Sequence, residues 1–202
     1  MACDLWLYEN QVRQNGFARI AGIDEAGRGP LAGPVVAAGV VLPTFFSVAG
    51  VNDSKKLTEK KRNDLYDKIF SQADAVGVGV AVPEEIDALN ILRASLLAMA
   101  RAVANLSVIP DYLLIDGTFQ IDADFPQRAI PKGDAKSISI AAASIIAKVT
   151  RDRLMLEYSE TYPEYEFHRH KGYPTRMHRD AIKTFGCCPI HRKSFKGVKE
   201  YL

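Results

Sequence analysis

The arrangement of apolar segments along the chain most strongly limits the folds that this sequence can adopt. Over roughly the first 160 residues, short β-branched runs alternate with longer segments whose apolar residues recur at intervals of three and four. Short buried runs are typical of strands and the longer spacing is typical of helices, so this order predicts an α/β fold with a central sheet. The predicted strands cover residues 17–24, 35–42, 75–82 and 112–115.

The predicted helices begin at residues that suit a first helical turn. Thr58 is expected to cap a helix that buries Leu65 and Ile69. Pro83 is expected to open one long helix whose apolar stripe continues to Leu106. The two remaining predicted helices cover residues 139–158 and 175–185.

Length and composition place the chain among ordinary globular proteins. It has 202 residues, of which 48% are apolar and 25% are charged, and we expect a single domain over residues 1–202. No apolar run approaches the ~20 residues that cross a bilayer, and residues 1–4 lack the basic start of a signal peptide. Three cysteines are too few for a disulfide framework, so we expect a cytoplasmic protein.

The formal net charge of +2 conceals an uneven distribution. Residues 168–202 contain nine Lys or Arg against two acidic residues, a local charge of +7, whereas the other residues together carry −5. Clustered cations favour a polyanion partner, because they neutralise phosphates and release counterions. A solvated basic surface without a partner explains the pattern equally well. The interleaved aromatic residues can stack on bases or form core contacts, and they are Phe167, Tyr173, Phe185 and Phe195.

Four carboxylates lie at the ends of apolar segments. Asp24 and Glu25 follow the apolar run 20–23 at the end of the first predicted strand, and Asp116 follows the fourth strand. Asp134 precedes the helix predicted over residues 139–158. An unpaired buried charge is costly, and a divalent cation between carboxylates removes that cost; ligand sets made only of oxygen suit Mg²⁺ or Mn²⁺. Alternatively, each acid is paired with a nearby base or is an ordinary turn residue.

The acids and the basic segment together indicate phosphodiester chemistry. Carboxylates that hold two metal ions ~3.5–4 Å apart can activate a water and stabilise a leaving oxygen. In Gly27-Arg28-Gly29 the glycines allow close backbone approach to a ligand, and Arg28 can donate to a phosphate. A backbone that approaches the ligand this closely could also recognise a ribose 2′-hydroxyl. The fit of residues 22–29 to a P-loop is poor, and Ser144 lacks the glycines of a nucleophile elbow.

Seven separated motifs are distributed along nearly the whole chain, and the similarity that they define extends from about residue 18 to residue 196. They are GIDEAGRGP at 22–30, DSKKL at 53–57, DG at 116–117, KGDAK at 132–136, SIAAASIIAKVTRDR at 139–153, HKGYPT at 170–175 and HR at 191–192. In sequence and in order, these motifs resemble the type 2 ribonuclease H family. Thr118 departs from the Asn expected after Asp-Gly, which concerns the hydrogen bonds of that loop rather than Asp116.

The resemblance implies a fold and an activity. The fold is RNase H-like, with a mixed five-stranded sheet flanked by helices and a basic C-terminal helical extension, residues 160–202, that binds substrate. The activity is that of an endonuclease that cuts the RNA strand of RNA–DNA hybrids and cuts duplex DNA at single embedded ribonucleotides. The implied products carry 5′-phosphate and 3′-hydroxyl ends, and the implied cofactor is Mg²⁺ or Mn²⁺.

The resemblance also assigns roles to individual residues. The implied catalytic metal ligands are Asp24, Glu25, Asp116 and Asp134. The implied substrate-binding residues are Gly27, Arg28 and Gly29 at the ribose, Tyr173 at the junction, and Lys55 and Lys56 at phosphates. We see no clamp-binding motif in residues 194–202, so no sliding-clamp partner is expected, and we expect a monomer.

Two other functions fit the same residues. A related RNase H-like DNA nuclease or resolvase would cleave duplexes made only of DNA. A nucleic-acid-binding module without catalysis would bind in a salt-dependent manner and show no metal-dependent cleavage. Adjacent Asp24 and Glu25 would point to opposite faces of a regular strand, so both can reach the metal ions only if the strand ends or distorts there.

Overall fold

A five-stranded mixed sheet forms the centre of the computed structural model, which describes residues 4–48, 50, 51, 54 and 57–202. The order across the sheet is β3-β2-β1-β4-β5; β2 is antiparallel to β1 and β3, and β4 is parallel to β1 and β5. This confirms the predicted α/β fold. The strands are β1 (Ile20–Ala26), β2 (Val35–Val41), β3 (Ala75–Ala81), β4 (Tyr112–Asp116) and β5 (Gln127–Ile130).

Helices cover both faces of the sheet. The described helices are α1 (Leu7–Gln14), α2 (Glu59–Gln72), α3 (Pro83–Leu89), α4 (Ile91–Ala104), α5 (Ile138–Thr161), α6 (Phe167–His170) and α7 (Arg176–Phe185). On one face, Ala98 of α4 shares a core with Ile23 of β1. On the other face, Ile145 of α5 and Leu65 of α2 pack with Val40 of β2. No helix within the described ranges is long and apolar enough to cross a membrane.

Glycines in the strands allow the helices to pack unusually close to the sheet. A Cβ atom at Gly77 or Gly79 of β3 would overlap the backbone of α4. A Cβ atom at Gly22 of β1 would overlap the backbone of α5 at Ser139. These glycines therefore allow α4 to pack directly on β3, and the short distance between β1 and α5 brings the start of α5 to the acidic end of β1.

The structure corrects two predicted elements. The single long helix expected from Pro83 is broken at Asn90, which has a φ of 72°. The Asn90 side chain accepts hydrogen bonds from the backbone N–H groups of Leu92 and Arg93 and so caps α4 as a new helix. The first strand begins and ends later than expected, at Ile20 and Ala26, so that it includes both acids.

Three elements, α1, α6 and β5, were absent from the predicted pattern. The β5 strand has only four residues, and among them only Ile130 is buried, so it carries no continuous apolar signal. The α1 helix is mostly polar but buries Val12 and Glu9. The Glu9 carboxylate accepts hydrogen bonds from Ser137 and Ser139 at the start of α5, which makes α1 the support for that helix end.

The C-terminal part, residues 160–202, has its own apolar core. Phe167, Ile182 and Val198 are buried together there, so Phe167 is a core residue rather than a stacking surface. Tyr173 and Phe185 are exposed, by 40% and 58% respectively.

Backbone hydrogen bonds join this part to the loop that follows β1. The N–H of Leu31 donates to the carbonyl of Gly172 at 2.8 Å, and the N–H of Gly33 donates to the carbonyl of Ile190 at 2.9 Å. The C-terminal part therefore lies directly against the loop that carries Gly27-Arg28-Gly29.

Candidate active site

Three acidic side chains converge at one edge of the sheet. Because β1 and β4 are parallel, their carboxyl ends lie at the same edge. One carboxylate oxygen from each of Asp24, Glu25 and Asp116 lies within 4.8 Å of the other two. β1 pairs with β4 only as far as Ile23, although it pairs with β2 as far as Ala26. The two adjacent acids thus lie where the sheet is paired on one side only, and both reach the same site.

Local hydrogen bonds orient two of these carboxylates. The Oδ1 atom of Asp24 accepts from the N–H of Glu25 at 2.7 Å, and the Asp24 side chain also bonds to Ser144 of α5. The Oδ1 atom of Asp116 accepts from the N–H of Gly133 at 2.6 Å. The Gly133 bond holds the turn before α5 against the end of β4.

The electrostatics of the cluster disfavour ionised carboxylates. Burial raises the pKa of Asp24 well above its usual value, and the charges of Glu25 and Asp116 raise it further, against the lowering effect of the Ser144 hydrogen bond. Burial also raises the pKa of Glu25, although the Arg28 guanidinium opposes this rise from 3.3 Å. Three crowded carboxylates, of which Asp24 and Glu25 have raised pKa values, are the environment that a hard divalent cation stabilises, so these residues fit a Mg²⁺ or Mn²⁺ site.

Asp134 lies beside the cluster but is not one of the three convergent carboxylates. It occupies a short 3₁₀ turn, Gly133–Ala135, and it is buried, with 6% of its surface exposed. The bond between Gly133 and Asp116 places this turn next to the acidic edge. The structure therefore brings together Asp24, Glu25 and Asp116, and it leaves the role of Asp134 as a prediction.

The two glycines of the Gly27-Arg28-Gly29 motif occupy different environments. Gly27 has a φ of +100°, and a Cβ atom there would overlap the Arg151 side chain, so the fold itself requires glycine. Gly29 has no positive φ, and a Cβ atom at this position would meet nothing closer than a ring carbon of Tyr173, at 3.8 Å. Gly29 is exposed, and the space beside it is open to a ligand.

Tyr173 completes the wall of the cleft opposite Gly29. The cleft has a volume of about 430 Å³ and contains the Gly27-Arg28-Gly29 motif, Glu25, Asp116 and Tyr173 in its lining. The Nζ atom of Lys148 lies 5.8 Å from the centre of the Tyr173 ring. Two of the predicted acids, Glu25 and Asp116, thus share one cleft with Tyr173 and the Gly27-Arg28-Gly29 motif.

Two serines and a lysine line the same cleft and were not predicted as part of it. Ser144 and Ser54 share a hydrogen bond of 2.8 Å between their hydroxyls, and Ser144 also contacts Asp24. Lys148 forms an ion pair of 2.7 Å with Asp152. Ser144 and Lys148 are four residues apart in the quoted run 139–153, which places them on one face of α5, and this spacing was the signal available.

Lys55 and Lys56, predicted to contact phosphates, lie outside the described residues, as does Asp53 of the same motif. Their predicted role is neither supported nor opposed by the geometry of the cleft.

Most basic residues of segment 168–202 are available to a polyanion, and one is not. Arg192 is fully buried and Lys171 is partly buried. The exposed basic residues are Arg169, Arg176, Arg179, Lys183, Lys193, Lys196 and Lys199.

Known proteins resemble this chain over nearly its full length. The family model of ribonuclease HII matches residues 21–198. A ribonuclease HII of Geobacter metallireducens is 59% identical over 198 residues, which cover 98% of this chain and 93% of that protein.

Solved structures show the same arrangement of elements. The crystal structure of ribonuclease H2 from Pyrococcus horikoshii matches with a TM-score of 0.75 at 29% identity, over 91% of this chain and 97% of that chain. The ribonuclease HII of Archaeoglobus fulgidus, solved in complex with PCNA, matches with a TM-score of 0.73 at 28% identity, over 89% and 96% of the two chains.

Proposed function

Because this chain belongs to the ribonuclease HII family and is therefore a ribonuclease H, which hydrolyses the RNA strand of RNA–DNA hybrids, we propose that it also cuts duplex DNA at single embedded ribonucleotides. The proposed reaction is a two-metal hydrolysis of the phosphodiester that leaves 5′-phosphate and 3′-hydroxyl ends. One observation carries this proposal: Glu25 and Asp116, whose carboxylates converge with that of Asp24, line one cleft with Gly29 and Tyr173.

The metal dependence of the reaction follows from the acidic cluster. We assign Asp24, Glu25 and Asp116 as the metal ligands and Asp134 as the residue that completes the site. When bound, divalent cations stabilise the charge that develops on the phosphate and lower the pKa of the attacking water. Mg²⁺ and Mn²⁺ are the proposed ions, since every assigned ligand is a carboxylate oxygen.

The remaining residues of the cleft bind and orient the substrate. Gly27, Arg28 and Gly29 are proposed to bring backbone N–H groups to the ribose 2′-hydroxyl, which DNA lacks. The open space at Gly29 supports this role, because a nucleotide can approach the backbone there without meeting a side chain. Tyr173, whose ring faces Gly29, is proposed to stack on the sugar or base at the junction.

Charged residues around the cleft are proposed to bind the substrate backbone. Arg28, half exposed, is placed to contact a phosphate near the acids, and Lys55 and Lys56 are assigned the same kind of contact. The exposed Lys and Arg residues of segment 160–202 bind more distant phosphates. Residues 1–202 thus form one catalytic domain whose C-terminal part is also a substrate-binding surface.

The proposal also covers the cellular setting of the enzyme. Cys187 and Cys188 are free thiols, which suits a reducing cytoplasm. We propose that the enzyme works as a monomer; a clamp-binding motif was not identified in residues 194–202. Size-exclusion chromatography with light scattering tests the first point, and a larger species than the monomer would contradict it.

Cleavage of a designed duplex tests the proposed function. The substrate is duplex DNA with one internal ribonucleotide, incubated with Mg²⁺ or Mn²⁺, and the control is the same duplex made only of DNA. The wild-type protein is expected to cut only the first duplex, and Asp24→Asn is expected to lose this activity by at least about 100-fold. Cleavage of the all-DNA duplex would favour a DNA nuclease, and equal rates for Asp24→Asn and wild type would contradict the metal assignment.

A further inference from the structure

We propose that Arg192 is a positioning residue for ribonucleotide recognition, because its guanidinium holds the loop that carries Gly27-Arg28-Gly29 from the C-terminal part of the chain. This inference rests on the proposed function, in which that loop reads the ribose. It adds a residue that cannot touch the substrate, since Arg192 is 0% exposed.

Arg192 donates to four backbone carbonyls of the loop. The Nη2 atom donates to Gly27 at 2.6 Å, and the Nη1 atom donates to Arg28 at 3.0 Å and to Pro30 at 2.8 Å. The Nε atom donates to Gly33 at 2.9 Å. A planar guanidinium has five N–H donors in a fixed arrangement, so it ties these carbonyls into one geometry that an ammonium group could not reproduce.

The buried charge of Arg192 is bonded by the carbonyls of the loop, and the charge of Asp87 favours it without forming an ion pair. No ion pair to Arg192 is found in the part of the chain that the structure describes, and burial, together with the nearby Arg151 charge, lowers its pKa. A buried charge without a counter-ion costs stability, and an apolar side chain of similar volume would fill the space at lower cost. An apolar side chain would not orient the four carbonyls.

The orientation of the carbonyls determines what the loop presents to the cleft. With the carbonyls of Gly27 and Arg28 bound to Arg192, these two acceptors are turned away from the ligand, and the backbone N–H groups of this stretch can be presented to the cleft. Those are the donors that a ribose hydroxyl oxygen requires.

Arg192 also links the loop to Tyr173, on the other wall of the cleft. Its own N–H donates to the carbonyl of Leu31 at 2.9 Å, and the N–H of Leu31 donates to the carbonyl of Gly172, the residue before Tyr173. The distance between Gly29 and the Tyr173 ring is therefore set within one hydrogen-bonded unit. The contacts that orient Asp24 and Asp116 come from other residues, so loss of Arg192 should disturb substrate recognition before it disturbs the metal ligands.

Steady-state kinetics of Arg192→Lys and Arg192→Gln test the inference. Lys keeps the charge and Gln keeps two N–H donors, but neither can bond four carbonyls. The matched control is Met99→Ala, which creates a cavity in the core that α4 forms with the sheet and removes no hydrogen bond of the loop. The substrates are the duplex with one ribonucleotide and an RNA–DNA hybrid, and thermal unfolding reports whether each variant is folded.

We expect the KM of both Arg192 variants to rise on the order of 10- to 100-fold with little change in kcat, while Met99→Ala keeps the wild-type KM. A folded Arg192→Lys with wild-type KM would overturn the inference, as would an equal rise in KM for Met99→Ala. Failure of both Arg192 variants to fold would show a structural role and overturn it too. If wild type fails to cut the single-ribonucleotide duplex, the proposed function fails, and the KM values on the hybrid decide the role of Arg192 separately.

Discussion

At the scale of single residues, the same amino acid serves different purposes within one motif. Gly27 is required by the fold, since its φ is +100° and a side chain would collide with Arg151. Gly29 is under no such constraint, because any residue can adopt its backbone conformation and a Cβ atom there would have no close neighbour. Folding therefore does not require glycine at position 29, and the open space there suits the ligand contact that we propose.

Alanine substitutions separate these two roles. Gly29→Ala is expected to leave the melting temperature unchanged and to reduce cleavage of the single-ribonucleotide duplex by about 10-fold or more, because the methyl group occupies the ligand's space. Gly27→Ala is expected to lower the melting temperature, since it adds backbone strain and a steric overlap. Thermal unfolding and cleavage rates of both variants measure the difference. A destabilised Gly29→Ala with normal activity per folded molecule would contradict the assignment.

The buried carboxylate of Asp24 destabilises the folded protein, which is consistent with its proposed role as a metal ligand. Its pKa is raised chiefly by burial and then by Glu25 and Asp116, so at pH 7 the ionised carboxylate is less stable in the folded protein than in the unfolded chain. This cost is present above the folded pKa and disappears as the pH falls below the unfolded pKa, where the carboxyl is protonated in both states.

Asp24→Asn is therefore expected to raise the melting temperature of the metal-free protein at pH 7 by a few degrees while abolishing cleavage. Saturating Mn²⁺ should raise the melting temperature of wild type and have a much smaller effect on the variant. Differential scanning calorimetry with and without Mn²⁺ measures both effects. A metal-free variant less stable than wild type would show that Asp24 is primarily a structural residue.

At the scale of elements, the sequence predicted those whose signal is local. The helix after Thr58 has its predicted cap, because the Thr58 side chain accepts a hydrogen bond from the N–H of Lys61. The β2 strand and the first half of α5 were predicted from apolar runs, and both segments are buried almost throughout. The break at Asn90 was missed, since the apolar stripe continues across it and only a left-handed backbone reveals it. Short or polar elements such as β5 form because they pair with a neighbouring element, here β4, and no local sequence pattern indicates them.

His178 of α7 and His191 form a buried pair that is hydrogen-bonded to the backbone carbonyl of Tyr173. The N–H of Cys188 donates to Nδ1 of His191, so the proton of neutral His191 is on Nε2, which donates to Nε2 of His178 at 3.0 Å. The Nδ1 atom of His178 then donates to the Tyr173 carbonyl at 3.0 Å. Only one proton fits between the two Nε2 atoms, so the arrangement requires both rings to be neutral.

The neutral histidine pair predicts acid sensitivity. Burial lowers the pKa of both His178 and His191 to about 4, from a usual value of 6.5. Between these values the unfolded chain binds more protons than the folded protein, so stability is full above pH 6.5 and falls as the pH drops toward 4. His178→Gln should weaken this pH dependence, and His168→Gln, at an exposed position of α6, is the matched control. Chemical denaturation from pH 4 to 7 measures it, and equal slopes for His178→Gln and wild type would contradict the prediction.

At the scale of the whole molecule, charge is divided between two surfaces that meet at the cleft. The excess acidity of residues 1–167 includes the cluster at the end of β1 and β4, and the excess basicity of residues 168–202 lies on the part that packs against the loop after β1. The sequence predicted this division and the residues that converge. The sequence did not reveal that Arg192, counted among the basic residues, is buried and holds the loop. Its hydrogen-bond partners lie 159 to 165 positions earlier in the chain, so no local pattern indicates them.

The ends left by cleavage of the single-ribonucleotide duplex test the central claim most directly. If Asp24, Glu25 and Asp116 hold metal ions that activate water, wild type with Mg²⁺ must leave a 5′-phosphate and a 3′-hydroxyl at the cut. Mass spectrometry of the two strand fragments identifies the ends. A 2′,3′-cyclic phosphate would show that the ribose 2′-hydroxyl attacked the phosphate instead of being recognised by Gly27-Arg28-Gly29, and would contradict the account.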